Sequence, residues 1–257
     1  MRVLAQPFWT PKAGHRDTEY EDACWPTRRL ERRLASGGHG PARLRLAVAD
    51  GATESSFSGI WARLLVRGFC AGRLDGADPL GCLTPLQRRW GKEVGARPLP
   101  WYAEETRRSG AFATLMGLVL DDESACARAP RRWSALALGD SCMVQMRGER
   151  ILTRFPLDHS SRFGSTPFLL SSNPSRNQGA QEHLQRLEGT WEPGDAWYLM
   201  TDALAAWFLR RAELGERPWT VLRALEAPGL FAAWVDEERL SGQMRNDDVT
   251  LLRLDAE

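Results

Sequence analysis

Aspartates stand at the ends of apolar runs in three distant parts of the chain. Asp50 and Asp202 each follow such a run directly, and Asp247 precedes the last run. Carboxylate oxygens are hard ligands, and several of them without histidine or cysteine favour Mg²⁺ or Mn²⁺ over zinc or copper. Two such ions can bind a phosphoryl group and lower the pKa of a water molecule until it becomes a nucleophile. These residues therefore predict a metal-dependent hydrolase.

Each aspartate alone has a simpler structural explanation. Asp50-Gly51 is typical of a turn, Asp202 is a plausible helix N-cap, and Asp247 with Asp248 could be loop acids. If the apolar runs are buried strands, however, the carboxylates lie at strand ends and can meet at one rim of a sheet. This shared position favours one cation site over three unrelated structural roles.

Apolar periodicity and turn residues predict the elements that would hold these acids. The expected strands are 2–9, 43–49, 109–120, 132–138, 143–146, 149–155, 183–192, 196–201 and 247–254, and the expected helices are 55–73, 84–94, 204–211, 218–226 and 229–240. Strands cluster early and late, which favours an α+β sandwich of two mainly antiparallel sheets flanked by helices over strict βαβ alternation. No composition break divides the chain, so we expect one domain over residues 1–257.

Composition excludes several classes of partner. Lys+Arg total 34 against 33 for Asp+Glu, so no net field recruits nucleic acid or an anionic membrane. The five cysteines lack disulfide or zinc spacing, and no segment has the apolar length of a signal peptide or a membrane span. We therefore expect a soluble, cytoplasmic monomer. The arginines of 28–33 are expected on a solvated hairpin rather than on nucleic acid.

The acids also fall within a series of short motifs. These are Glu21-Asp22-Ala23, Val48-Ala-Asp50-Gly51, Gly139-Asp140-Ser141, Thr153 through Asp158-His159-Ser160, Pro193-Gly-Asp195 with Leu199-Met-Thr201-Asp202, and Asn246-Asp247-Asp248-Val-Thr250. In this order, over about residues 14–254, they resemble the metal-dependent serine/threonine protein phosphatases of type 2C, in particular bacterial members. The resemblance implies a two-sheet sandwich with outer helices. It also implies hydrolysis of phosphoserine or phosphothreonine by a hydroxide that bridges two Mn²⁺ or Mg²⁺ ions.

The same resemblance implies ligand roles around the second of these ions. Asp50 corresponds to the ligand that bridges both ions. Glu21 and the carbonyl group of Gly51 would complete the second ion, and Asp22 would hold one of its water molecules. Asp248 stands where the family often has asparagine, and we expect it to orient a neighbour through hydrogen bonds.

The first ion would be held by Asp202 and Asp247, and Asp140 corresponds to the ligand of a third, weaker ion in bacterial members. Together with Asp50, Asp202 and Asp247, Arg16 is expected to be catalytic, as the clamp on the phosphate group. The implied partners are a phosphoprotein substrate and a serine/threonine kinase or its targets.

The chain departs from the family pattern at several positions. Ala52 and Thr53 stand where eukaryotic members carry a histidine, Ala203 replaces a glycine, Cys142 replaces an arginine, and Asp17 occupies the usual slot of the phosphate-binding arginine. These changes keep a rival hypothesis open, a phosphatase-like binding or regulatory module with weak or no turnover. A phosphatase of small molecules, which would use the same site, is a third possibility.

Overall fold

A computed structural model describes residues 2–34, 42–53, 57–74, 76–96, 109–122, 131–164 and 166–257. The strands in these ranges are β1 (Arg2–Thr10), β2 (Ala23–Trp25), β3 (Leu30–Arg33), β4 (Ala42–Ala49), β5 (Phe112–Ala113), β6 (Leu115–Asp122), β7 (Arg131–Leu138), β8 (Cys142–Arg147), β9 (Arg150–Phe155), β10 (Leu170–Ser171), β11 (Gln185–Trp191), β12 (Asp195–Met200) and β13 (Val249–Ala256). The sequence also predicts a glycine turn at 37–41 and a proline-rich connector over 95–104. The turn, and the connector from residue 97 onward, lie outside the described residues.

The strands form two large antiparallel sheets. One has the order β3-β1-β13-β12-β8-β9 and the other the order β11-β7-β6-β4-β2, and β10 pairs with β5 in a small third sheet. Apolar side chains of both large sheets meet in one buried cluster, which includes Leu46 and Leu118 from one sheet and Trp197 and Leu252 from the other. The predicted sandwich of two mainly antiparallel sheets is confirmed.

Helices cover the outer faces of both sheets. They are α1 (Ser58–Cys70), α2 (Thr84–Gly95), α3 (Ala180–His183), α4 (Asp202–Glu213), α5 (Pro218–Ala224) and α6 (Pro228–Leu240). Buried residues of α1 and α2 pack on the five-stranded sheet, and those of α4, α5 and α6 pack on the six-stranded sheet. Proline at the start of α5 and α6 suits the first helical turn, where its missing N–H has no partner to lose. None of the described helices has the length and apolarity needed to cross a membrane.

Two local predictions were wrong. The strand expected at 109–120 is interrupted at Thr114, which separates β5 from β6. Helix α1 is expected from residue 55, but it begins at Ser58, and its N-cap position, Phe57, is in a left-handed conformation with φ of 67° and has no side-chain cap among the described residues. Thr114 accepts a hydrogen bond from Asp50, and Ser58, which follows Phe57, donates to Glu21, so both irregularities lie beside expected metal ligands.

The strand register brings the relevant strand ends to one rim. In the five-stranded sheet, the start of β2 lies opposite the end of β4, with Ala23 facing Ala49, and the start of β6 lies opposite the end of β7. In the six-stranded sheet, Met200 at the end of β12 faces Leu251 at the start of β13. Residues that flank these ends are therefore positioned to form one site between the sheets.

Candidate metal centre

Three carboxylates converge at this rim. Asp50 follows β4, Asp140 follows β7, and Asp202 opens α4. Each contributes one oxygen, and these oxygens all lie within 4.8 Å of one another. Two oxygens on opposite sides of one Mg²⁺ ion are about 4.2 Å apart, because each bond is about 2.1 Å long. The limit of 4.8 Å is thus compatible with a hard cation shared by the three carboxylates.

The electrostatics of the cluster also favour a cation. Burial raises the pKa of Asp50 well above its usual range, and the neighbouring carboxylates, Asp22 first, raise it further. Burial, followed by repulsion from Asp202, raises the pKa of Asp140 to about 7. Burial also raises the pKa of Asp202, although Arg245 opposes that shift. Crowded, desolvated carboxylates bind protons in this way when no metal ion compensates their charge.

Thr114, at the break between β5 and β6, fixes the Asp50 and Asp140 loops relative to each other. Its hydroxyl oxygen accepts a hydrogen bond from the Asp50 N–H at 2.9 Å and lies 2.7 Å from the Ser141 hydroxyl oxygen. Its own N–H donates to the Asp50 carbonyl oxygen at 2.9 Å. Gly139 has φ of +102°, and a Cβ there would lie 2.6 Å from the Thr114 methyl group, so only glycine fits this turn.

Gly51 lies where the chain leaves the cluster and packs closely against the segment that carries Glu21. A Cβ on Gly51 would lie 2.6 Å from the Glu21 carbonyl oxygen and 3.0 Å from Ser58. The nearest neighbour is backbone, which cannot rotate away. Glycine at this position therefore permits the close approach of two segments that are expected to share a metal ion.

Replacing Gly51 with alanine is expected to separate these segments. We expect a loss of about 1–3 kcal/mol in the free energy of unfolding, as for an overpacked buried site, together with weaker Mn²⁺ binding. Urea unfolding and calorimetric titration measure both quantities.

The matched control is Gly91→Ala, within α2, where a Cβ meets nothing within 4 Å. This change is expected to stabilise the protein by up to about 1 kcal/mol through helix propensity. Equal stability of Gly51→Ala and wild type would contradict the role of the close approach.

Asp22 belongs to a buried hydrogen-bonded chain. The Thr250 hydroxyl group donates to Asp22 Oδ2 at 2.7 Å, so the Tyr20 hydroxyl group, which contacts the same Thr250 oxygen, must be the donor in that contact. The other carboxylate oxygen, Oδ1, is buried and has no hydrogen-bond partner among the described residues. A buried acceptor without a donor is costly. This free oxygen fits the expected role of holding a metal-bound water.

Asp248 holds two backbone segments at the edge of the cluster. Its carboxylate accepts from the Glu21 N–H at 2.7 Å and from the Lys12 N–H at 2.9 Å. The Glu21 carboxylate accepts from the Ser58 hydroxyl group, and burial raises the pKa of Glu21. Asp248 thus orients the Glu21 segment, in agreement with the expected orienting role.

Arg245 connects Asp202 with Asp247. Its Nη2 atom contacts Asp202 Oδ2 and lies 3.1 Å from Asp247 Oδ2. The Ala203 N–H also donates to Asp202 Oδ1 at 2.5 Å, at the start of α4, where the helix dipole favours a negative charge. Arg245 is not among the residues that the sequence predicts for the site. Its positive charge two residues before Asp247 is the one signal that the local sequence offers.

The expected ligands do not all lie in the tight group. Within the described ranges, Glu21, Asp22 and Asp247 lie outside the set of oxygens that approach within 4.8 Å. Asp22 and Asp247 nevertheless both raise the pKa of Asp50 through charge repulsion, so they lie within electrostatic reach of it. Arg16 is exposed before a 3₁₀ turn, and its N–H donates to the Glu19 carboxylate at 2.8 Å. Its role as a phosphate clamp stays a prediction.

Solved structures confirm the fold of the chain. The catalytic domain of the serine/threonine phosphatase PstP in complex with two manganese ions is 18% identical, with a TM-score of 0.53 and 99% of each chain covered. The phosphatase PstP/Ppp of Mycobacterium tuberculosis is 16% identical, with a TM-score of 0.58 and complete coverage of both chains. PppA of Pseudomonas aeruginosa, described as a regulatory component of T6SS, is 16% identical, with a TM-score of 0.53 and complete coverage of both chains.

A comparison with curated proteins gave no significant match. A family model described as protein phosphatase 2C matches residues 33–240. This range contains Asp50, Asp140 and Asp202, whereas Asp22 and Asp247 flank it. The match spans most of the chain and agrees with the fold and with the position of the acidic cluster. The chain belongs to the protein phosphatase 2C family.

Proposed function

We propose that the protein is a metal-dependent protein serine/threonine phosphatase. The observation that carries this proposal is the convergence of Asp50, Asp140 and Asp202, from three distant segments, to within 4.8 Å of one another. When bound, a pair of Mn²⁺ or Mg²⁺ ions would activate the attacking water and neutralise charge on the phosphate group. Membership of the protein phosphatase 2C family supports this assignment.

Each side chain at the rim would have its own role in binding the two ions or a water molecule. Asp50 would bind both ions, Asp202 and Asp247 the first, and Glu21 with the Gly51 carbonyl group the second. Asp22 would orient a water through its free Oδ1 atom, because its Oδ2 atom is already held by Thr250.

Asp140 would add a weaker site, and Arg16 would bind the phosphate group. The Cys142 thiol donates to the Asp140 carbonyl oxygen at 3.3 Å. Cys142, which replaces the family's arginine, therefore stabilises the turn that carries Asp140 through a contact with the main chain of that turn.

The direct test is release of phosphate from phosphoserine and phosphothreonine peptides, and from p-nitrophenyl phosphate, with and without Mn²⁺. We expect turnover with Mn²⁺ and none above background after EDTA treatment. Turnover of p-nitrophenyl phosphate without any peptide hydrolysis would favour a small-molecule phosphatase. Activity that survives removal of the metal would refute the mechanism.

A second candidate is a phosphatase-like binding module without turnover. The contacts of Arg245 with both Asp202 and Asp247 favour it, because a guanidinium group then neutralises two expected metal ligands. Calorimetric titration with Mn²⁺ separates the candidates. A module that binds no Mn²⁺ at millimolar concentration cannot be the enzyme.

We further propose that the substrates are phosphoproteins, including a serine/threonine kinase or its targets, and not nucleic acid or membrane. Residues 1–257 would form one domain that acts as a cytoplasmic monomer. The near-zero net charge of +1 and the odd number of cysteines, five, without disulfide spacing support this view. Light scattering should give the mass of one chain, and a mass of two chains would contradict the monomer.

A further inference from the structure

Arg245 lies in the connection between α6 and β13, at the border of the acidic cluster. One guanidinium nitrogen, Nη2, contacts both Asp202 Oδ2 and Asp247 Oδ2. The Arg245 side chain is 56% exposed, whereas those of Asp202 and Asp247 are 10% and 30% exposed. The arginine therefore reaches from solvent onto two more deeply placed carboxylates.

The contact conflicts with the metal ions that the proposed function requires. The Oδ1 atoms of Asp202 and Asp247 already accept from the N–H groups of the residues that follow them, so a divalent ion would compete with the guanidinium group for the Oδ2 atoms. The ion would also repel the guanidinium charge at short range. Metal binding therefore disfavours the present position of Arg245. Because the side chain is largely exposed, it can leave by rotation without unfolding of the loop.

A cavity of about 290 Å³ adjoins this contact. Asp202 and Arg245 line it together with Arg210, and Phe163 and Trp207 add apolar surface. The Arg210 guanidinium is held by the Gln243 carbonyl oxygen. An anion at the metal centre would therefore meet the Arg245 side chain at the boundary between the carboxylates and this cavity. Guanidinium groups bind phosphate through paired, charge-assisted hydrogen bonds.

We propose that Arg245 has two successive binding roles. In the metal-free protein it neutralises Asp202 and Asp247, and after displacement by metal it donates to the phosphate group of the substrate. This inference rests on the proposed function, since it takes a divalent metal and a phosphate group as the two ligands. It assigns a phosphate-binding residue on the β13 side of the site, in addition to the expected Arg16.

The test replaces Arg245 with glutamine and measures two affinities by calorimetry. The first is that of the metal-free protein for Mn²⁺, and the second is that of the Mn²⁺-loaded protein for inorganic phosphate. Loss of a partly exposed competitor should tighten Mn²⁺ binding about threefold. Loss of a charged donor should weaken phosphate binding about tenfold. Arg210→Gln, the same change in the wall of the same cavity, is the matched control and should alter Mn²⁺ affinity less than twofold, being outside the acidic cluster.

Opposite changes in the two affinities distinguish this role from a structural one, because a damaged site would bind both ligands more weakly. Weaker Mn²⁺ binding by Arg245→Gln, or an unchanged affinity for either ligand, would overturn the inference. If wild type and Arg245→Gln bind Mn²⁺ equally well, the proposed function stands and the inference on Arg245 is overturned. Failure of both proteins to bind Mn²⁺ would instead overturn the proposed function, and this inference with it.

Discussion

Replacing Asp50 with asparagine should reduce Mn²⁺-dependent phosphate release by at least about a thousandfold, a loss of about 4 kcal/mol in transition-state stabilisation. Four other carboxylates, those of Asp22, Asp140, Asp202 and Asp247, act on Asp50 electrostatically, so it lies at the centre of the negative charge. An amide of the same shape supplies no charge to a hard divalent cation. The measurement is the initial rate on a phosphothreonine peptide at saturating Mn²⁺.

The fold should survive this change. The main chain of Asp50, rather than its side chain, makes the hydrogen bonds with Thr114. The matched control is Asp121→Asn at the far end of β6, where the carboxylate pairs with exposed Arg43 at 2.7 Å. Asp121→Asn should keep its activity. If Asp50→Asn remained within tenfold of wild type, Asp50 would not be the shared ligand of the ions.

The second large effect concerns the stability of the metal-free protein at alkaline pH. The pKa of Asp140 in the folded protein is about 7, against 3.8 for an ordinary aspartate. The folded state therefore binds more protons than the unfolded state between these values, and stability falls as the pH rises through this window. Above pH 7 Asp140 is ionised in the folded protein, and the burial and repulsion of its charge then lower the free energy of unfolding by their full amount. Asp140→Asn should remove it and stabilise the metal-free protein by about 1–3 kcal/mol at pH 8.

Thermal unfolding in EDTA at pH 4 and pH 8 measures this effect. A gain of about 1–3 kcal/mol corresponds to an increase in Tm of about 3–10 °C for a chain of this size. The difference between Asp140→Asn and wild type should shrink at pH 4, because the folded state is then protonated at Asp140 and the pH lies close to the unfolded pKa of 3.8, so most of the cost of ionisation is gone. It should also shrink with saturating Mn²⁺ at pH 8, because the ion compensates the charge that the mutation removes. An Asp140→Asn protein less stable than wild type at pH 8 in EDTA would contradict the proposed repulsion.

The proximity of Asp50, Asp140 and Asp202 is related to a local pattern in the sequence, because each of these aspartates comes just after a run of apolar residues. The runs that end at Asp50 and Asp202 are the buried strands β4 and β12, one in each large sheet, and the face-to-face packing of the two sheets brings their ends to the same rim. The same reasoning predicts the two-sheet sandwich, since it depends on alternating and continuous apolar patterns.

Side chains that act across the chain could not be predicted in the same way. Thr114 interrupts a strand because its hydroxyl group accepts from the Asp50 N–H, a contact over 64 positions that no local pattern encodes. Arg245 reaches Asp202 across 43 positions, and this contact depends on the path of the loop before β13. Phe57 precedes α1 in a left-handed conformation that propensity disfavours, so the start of that helix was misplaced.

Both ends of the chain contribute to the site, and this has a consequence for biosynthesis. Asp248 holds the Lys12 and Glu21 backbones, Thr250 supports Asp22, and β13 pairs with β1 along its length. In a nascent polypeptide that still lacks β13, β1 would have no partner on that side, and Glu21 and Asp22 would lack their hydrogen bonds with Asp248 and Thr250. The acidic site can therefore be complete only after β13 has been synthesised and has paired with β1, so its assembly depends on contacts that are distant in sequence.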